Sequence, residues 1–292
     1  MKLSLVVEGG GMRVAYSLGA LGALYSHFGL RQVDYVTGSS SSLGLLAYYT
    51  AGQLYPGYYA WPKELSNYKL LSLRNLFRGK PIIDVDYLID EIYKKKIPLS
   101  EKKIKASKIK FFVPLTNAKT GKVVYLNNKS KFNFFEILRA GMAMQIAYGK
   151  TVRLGKDDYF DAGISDPLPL DIPEIKDSKK IIILTKIENV HLGHWSDDIF
   201  IKLFKWKFSP VAYKQLQLHS KTYENKIKQV KKLKSQGDIV IQPKIKFSRY
   251  DRNIKSRKRM INQGYKDTIK NKKIIEVKAH LKRNKKYKHY FT

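Results

Sequence analysis

The chain contains no cysteine. This excludes disulfides, thiolate catalysis and cysteine-ligated zinc, leaves the redox compartment open, and makes packing the source of stability. Acidic residues are scarce: 24 Asp and Glu stand against 56 Lys and Arg, a formal net charge of +32. Such a chain seeks polyanions, either an anionic membrane surface or a nucleic acid, and charge alone does not choose between them. Long apolar runs are missing as well. The opening run Leu3 to Val7 is shorter than the roughly 7–15 apolar residues of a signal-peptide core. Val14 to Tyr25 holds two glycines and stops at Ser26-His27, short of the roughly 18 uninterrupted apolar residues of a spanning helix. The expectation is a cytoplasmic protein with no cleaved signal peptide or transmembrane helix, peripheral wherever it meets a membrane.

What is present is enough for a core. With 292 residues and 43% hydrophobic content, the chain suits one large domain or one domain with an extension. Leu3 to Val7 reads as a buried strand and Met12 to Phe28 as a helix ended by Gly29. Val33 to Thr37 and Leu43 to Thr50 repeat the strand-to-helix pattern. Tyr55 to Lys80, rich in Tyr, Pro and Gly, reads as a loop-rich insertion before a helix opened by Asp84 and running to about Lys95. Two hairpins follow, Lys110 to Leu126 and Thr151 to Asp161, with a helix at Phe134 to Ala143 between them. Lys180 to Thr185, with three consecutive isoleucines, predicts a buried strand. The character then changes: residues 201–292 carry 28 Lys and Arg against 5 Asp and Glu. That region reads as a basic helix at Val211 to Lys234, a strand at Asp238 to Gln242, and one or two helices within Met260 to Lys282.

Three constellations carry chemistry. Glu8-Gly9-Gly10-Gly11-Met12-Arg13 sits at a strand-to-helix turn, where glycines let backbone N–H groups approach negative charge. A dinucleotide fingerprint needs glycine at position 14, which is Val14, and no Gly-Lys-Ser/Thr follows for a phosphate loop. A tight turn and an oxyanion cradle remain. Gly38-Ser39-Ser40-Ser41-Ser42 lies at the second such turn. Of its four serines, Ser40 alone has Gly two residues before it, near the elbow pattern Gly-x-Ser-x-Gly; a polar serine-rich loop is the plainer alternative. Asp161, in Asp161-Ala162-Gly163, ends a strand and can act as a base, although Asp before small residues commonly bonds its own backbone. Of the histidines His27, His191, His194, His219, His280 and His289, none has a context that makes a triad. His191 and His194, as His-Leu-Gly-His with a glycine between them, make a poor metal pair.

Taken together, Gly9-Gly10-Gly11-Met12-Arg13, Gly38-x-Ser40-x-Ser42 and Asp161-Ala162-Gly163 resemble the patatin-like phospholipases, acyl hydrolases that use a Ser-Asp dyad without histidine. Thr50-Ala51-Gly52-Gln53, Ile164-Ser165-Asp166-Pro167-Leu168-Pro169, Ile239-Val240-Ile241-Gln242-Pro243 and Gln263-Gly264-Tyr265 extend the likeness to a bacterial branch of that family. The resemblance implies a three-layer α/β fold with a central, mainly parallel sheet flanked by helices, plus a mainly helical basic C-terminal region. It divides the chain into an acyl-hydrolase domain at 1–190 and a C-terminal region at 191–292, packed on or continuous with it. It implies Ser40 as nucleophile, Asp161 as general base, and Gly9, Gly10, Gly11 and Met12 as the oxyanion loop, supported by Arg13, Gly38, Ser42 and Gly163. It requires no metal or other cofactor. The expected substrate is a phospholipid or lysophospholipid, with the basic region drawn to an anionic membrane. Nucleic acid is disfavoured, because no aromatic-basic motif singles out a base-reading surface. The family usually has Gly where this chain has Ser42 and Ala162. At Ala162 a methyl is harmless if φ is negative and costs about 1 kcal/mol or more in a left-handed turn. Those two positions motivate the alternative, a weakly active or inactive member that acts as a membrane- or lipid-binding module.

Overall fold

The computed structural model describes residues 2–66, 69–72, 75, 81–188, 205–251, 253–276 and 290. His191, His194, His280 and His289 lie outside the described residues, as does the boundary expected near residue 190.

Among the described residues eight strands form one sheet: β1 (Leu3–Val7), β2 (Tyr35–Gly38), β3 (Lys110–Asn117), β4 (Val123–Asn127), β5 (Val152–Leu154), β6 (Asp157–Asp161), β7 (Lys179–Ile183) and β8 (Ile239–Ile241). Their order is β5-β6-β3-β2-β1-β7-β8, with β4 paired to β3 off that path. The run β3-β2-β1-β7-β8 is parallel throughout. β4 and β6 pair antiparallel with β3, and β5 antiparallel with β6. The sheet is therefore mixed around a parallel centre.

The continuous apolar runs of the central strands follow from burial on both faces. Leu5 and Val7 of β1, Phe111 of β3, and Ile181 and Ile183 of β7 face the larger core. Their neighbours Val6, Phe112 and Ile182 face a second core with Leu168, Ile172, Ile175 and Val230. Successive side chains alternate across the sheet, so two helical layers are needed to cover it.

Among the described residues the α-helices are α1 (Val14–Gly22), α2 (Ser42–Thr50), α3 (Leu54–Glu64), α4 (Glu101–Ala106), α5 (Phe134–Met142), α6 (Gln145–Tyr148), α7 (Pro210–Ser235) and α8 (Ile254–Ile269), with π-helical turns at Ala23–His27, continuing α1, and at Tyr87–Lys96. Asp84 Oδ1 accepts the Tyr87 N–H at 2.8 Å at the opening of the second of these. The Tyr55–Lys80 expectation is corrected in its first part, which is helix α3 rather than loop. Pro56 falls in the first turn of α3, where no backbone N–H is needed. Trp61 is buried, edge-on to Tyr48 at 5.8 Å and stacked over Tyr93 at 6.3 Å, which outweighs the turn-forming composition.

The basic C-terminal region is built into the same scaffold. β8 extends the parallel sheet beside β7. α8 starts at Ile254, earlier than the expected Met260, because the Asn253 side chain accepts from Lys255 and Ser256 N–H and caps it there. It crosses α1 with backbones in contact: a methyl on Gly264 would stand 2.0 Å from the Tyr16 carbonyl oxygen, and one on Gly19 would stand 1.9 Å from that of Ile261. The Tyr16 hydroxyl donates to Asp267 at 2.9 Å across the same crossing.

Candidate active site

Ser40 occupies the turn between β2 and α2 with φ of +54°, and among the described residues it is the one non-glycine with positive φ. The left-handed conformation costs an L-residue about 1–2 kcal/mol. Such strain is retained where the surroundings over-determine it, which is typical of functional turns. Here the surroundings are the other three serines. Ser39 Oγ accepts the Gly9 N–H at 3.1 Å and donates to the Pro167 carbonyl at 2.8 Å. Ser41 Oγ accepts the Gly10 N–H at 3.3 Å. Ser42 Oγ accepts the Ser39 N–H at 3.1 Å, and its proton lies between the carbonyls of Val7 at 3.0 Å and Ser39 at 2.9 Å. Three hydroxyls thus hold the elbow, while that of partly exposed Ser40 takes no part in these bonds.

Asp161 ends β6, where register with Leu115 of β3 carries it toward the elbow. Its Oδ1 accepts the Gly163 N–H at 2.7 Å, the self-bonded turn anticipated for such an aspartate. Its Oδ2 is buried without a hydrogen-bond partner. A methyl on Gly163 would lie 3.5 Å from Ser40 Cβ, so the aspartate loop and the elbow touch. Burial pushes the Asp161 carboxyl up to about 6, with the Ser40 hydroxyl and the Gly163 N–H acting in the opposite direction. Ser40 therefore steadies the carboxylate without forming a fully aligned bond to Oδ2, a loose geometry common before substrate binds.

Both departures from the family pattern are absorbed. Ala162 is buried in a 3₁₀ turn and has no positive φ. Ser42 begins α2, also without positive φ, and its hydroxyl fills the space beside Gly38, where a methyl would meet it at 2.4 Å.

The glycine loop is narrower as an anion cradle than Gly9 to Met12 implies. Gly9 and Gly10 N–H are turned to Ser39 and Ser41, and Met12 N–H donates to the Arg249 carbonyl at 3.0 Å. The Gly11 N–H has no partner among the described residues. Gly11 has φ of +60°, and a methyl there would press the Arg249 carbonyl oxygen at 2.8 Å, so both backbone conformation and space require glycine.

Sequence reasoning missed the group under this loop. Glu8 is buried, yet Lys186, the Thr185 N–H and Arg13 outweigh its desolvation and hold its carboxyl below the usual range. Lys186 Nζ lies 3.0 Å from Glu8 and 3.4 Å from the centre of the Tyr223 ring. Thr185 donates its N–H to Glu8 at 2.7 Å and its hydroxyl to the Gly9 carbonyl at 2.7 Å. Arg13 folds back over the loop: a methyl on Gly10 would meet its Nε at 3.0 Å. From α7, His219 Nδ1–H donates to the Ile164 carbonyl at 3.1 Å. Burial, with Lys186 and Arg249 nearby, pushes that imidazole down to about 4, so it is neutral. Lys226 Nζ pairs with buried Asp166 at 2.8 Å, and Asp166 accepts the Tyr125 hydroxyl at 2.7 Å. The sequence signal for these contacts was slight, because Glu8 meets Lys186 and Thr185 far along the chain, and Tyr223, His219 and Lys226 join α7 to distant loops.

A strained serine elbow and a glycine loop at a helix start, carried on a three-layer scaffold, place the fold among α/β hydrolytic architectures. The family model of the patatin-like phospholipases matches residues 5–173, more than half of the chain, and the chain belongs to that family of lipid acyl hydrolases. Among solved structures it is similar to VipD from Legionella pneumophila, at 12% identity and a TM-score of 0.48, over 94% of this chain and 67% of that one. No curated protein matches it.

Proposed function

We propose that this chain is a serine acyl hydrolase that cleaves fatty-acyl esters of phospholipids or lysophospholipids through Ser40 and Asp161. The observation that carries the reading is the strained Ser40 beside the unpartnered, buried Oδ2 of Asp161. Asp161 takes the hydroxyl proton as Ser40 Oγ attacks the ester carbonyl. A carboxylate lifted to about 6 is a better base than an ordinary one and is still ionised at neutral pH. The tetrahedral oxyanion is received at the start of α1 by Gly11 N–H, joined by Gly10 N–H, whose 3.3 Å bond to Ser41 is long enough to be exchanged. Each such donor is worth about 2.7–4 kcal/mol of barrier. Collapse breaks the bond to the alkoxide, which takes the proton from Asp161 and leaves as the alcohol, with an acyl ester left on Ser40. Water, deprotonated by Asp161, then releases the fatty acid.

The lipid-binding alternative was motivated by Ser42 and Ala162, and neither residue strains its backbone. The basic C-terminal region supports action at an anionic lipid surface, where each nearby Lys or Arg contributes about 1 kcal/mol.

The test is fatty-acid release from a lipid panel together with fluorophosphonate labelling of the folded protein. Ser40→Ala and Asp161→Asn are expected to lower release by about 10³-fold or more, and Ser40→Ala to abolish labelling. A folded wild type that neither labels nor releases fatty acid rejects the reading; unchanged release by Ser40→Ala rejects the nucleophile.

A further inference from the structure

The glycine loop is ringed by more positive charge than its acids neutralise. Lys186 is matched by Glu8. Arg13 and Arg249 form no ion pair with any carboxylate among the described residues, and Arg13 Nε is buried without a hydrogen-bond partner. Arg249 is exposed, and its guanidinium carbon stands 5.9 Å from the centre of the Tyr250 ring. Its side chain nevertheless starts at the site, because its Cβ would lie 3.7 Å from a methyl on Gly11. The other groups around the loop are uncharged: His219 is held neutral, and the Tyr223 hydroxyl is pushed upward by burial and by Glu8. Burial and the nearby charge of Arg249 work against the ionised form of Arg13, and the buried charge of Glu8, which Lys186 also shares, offsets them in part.

With Glu8 already paired to Lys186, the two arginine charges remain in excess, and an anion that joins them is stabilised. Arginine is the side chain best shaped for phosphate oxygens, which it meets through two parallel N–H donors. The backbone explains how Arg249 reaches the loop. Its carbonyl accepts the Met12 N–H at 3.0 Å, which fixes the residue at the rim and leaves the side chain free to meet a ligand.

We propose that Arg249, with Arg13, forms a subsite for the headgroup phosphate of an acyl-ester lipid, making Arg249 a specificity-determining residue delivered by the C-terminal region. The proposal rests on the hydrolase reading and deepens it: the preferred substrate is a phosphate-bearing lipid rather than a neutral glyceride. The ester sits at the Gly11 N–H and Ser40, and the phosphate sits outward between the two guanidinium groups.

Binding, read without turnover, tests this. Calorimetric titration of the Ser40→Ala protein with dihexanoyl phosphatidylglycerol and with neutral dihexanoylglycerol, both below micelle formation, avoids surface-charge effects. The phosphate-bearing lipid is expected to bind about tenfold tighter, a difference typical of one well-placed charge-assisted contact. Adding Arg249→Gln is expected to erase that difference, and Arg249→Lys to restore part of it. Because the clamp on Met12 uses the backbone carbonyl, Arg249→Gln should keep the parent melting temperature. Lys232→Gln, which removes an equal charge from the exposed face of α7, should leave the difference intact. Inorganic phosphate should compete with the charged lipid. Equal affinity for the two lipids, an effect of Lys232→Gln as large as that of Arg249→Gln, or failure of phosphate to compete overturns the subsite. An inactive wild type would instead overturn the hydrolase reading and leave this binding measurement standing.

Discussion

Burial of Asp161 has two consequences of opposite value. With a carboxyl near 6, the base is lost as pH falls, so kcat/KM for a neutral ester should drop about tenfold per unit below pH 6 and be level above it. A profile level down to pH 4.5 would remove Asp161 from the role of base. The same shift opposes folding. An unfolded aspartate titrates near 3.9, so the native state binds this proton more tightly. Stability therefore declines as pH rises from about 4 to about 6, and the full cost persists above that window. Two pKa units correspond to roughly 3 kcal/mol. Asp161→Asn keeps the acceptor for Gly163 and should raise the melting temperature at pH 8 but not at pH 4, while abolishing turnover. At Ser42, reversion to the family's glycine should not help. Ser42→Gly strips the Ser39 N–H of its buried acceptor and is expected to cost about 1–3 kcal/mol by denaturant unfolding, with no gain in rate.

The crossing of α1 with α8 links the C-terminal region to the chemistry, because α1 carries the glycine loop at its start. Gly264→Ala drives a methyl to 2.0 Å from the Tyr16 carbonyl. Its expected cost is about 3 kcal/mol, the upper range for overpacking. Fluorophosphonate labelling of Ser40 should also slow well below the melting temperature, whereas an intact labelling rate would mean that the crossing and the loop are independent. The elements on either side of this crossing were legible to different degrees. β1, α1, β2 and α2 could be read in sequence because apolar runs and glycine turns are local signals, and the spacing that singled out Ser40 agrees with the work its neighbours do as scaffold. The helix at Leu54–Glu64 was obscured by Pro and Gly, whose local preference yields to the burial of Trp61 against Tyr48 and Tyr93. The engagement of Met12 by Arg249, and the grip of Lys226 and His219 on the aspartate loop, were invisible. They are tertiary contacts between distant segments with no periodicity to betray them.

On the scale of the whole molecule, charge is the dominant asymmetry: residues 201–292 hold 28 of the 56 Lys and Arg but only 5 of the 24 acids. Near the glycine loop this becomes a surface. Arg249, Tyr250, Ile254, Lys255, Lys258 and Arg259 are exposed in succession from the rim of the site into the first turns of α8. Cations with an aromatic and an aliphatic side chain are the composition that holds a protein at a lipid headgroup layer. Attraction to a charged bilayer falls off within a Debye length, about 10 Å at 0.1 M salt and 3 Å at 1 M. Sedimentation with phosphatidylglycerol vesicles should therefore be strong in dilute buffer and lost toward 1 M salt, and phosphatidylcholine vesicles should retain little protein. Replacing Lys255, Lys258 and Arg259 with Glu should weaken retention far more than the same change at Lys228, Lys231 and Lys232 on α7, if the site side of the molecule is the docking face. Equal losses from the two sets would mean that net charge alone draws the protein to the surface, with no preferred orientation of Ser40 toward the lipid.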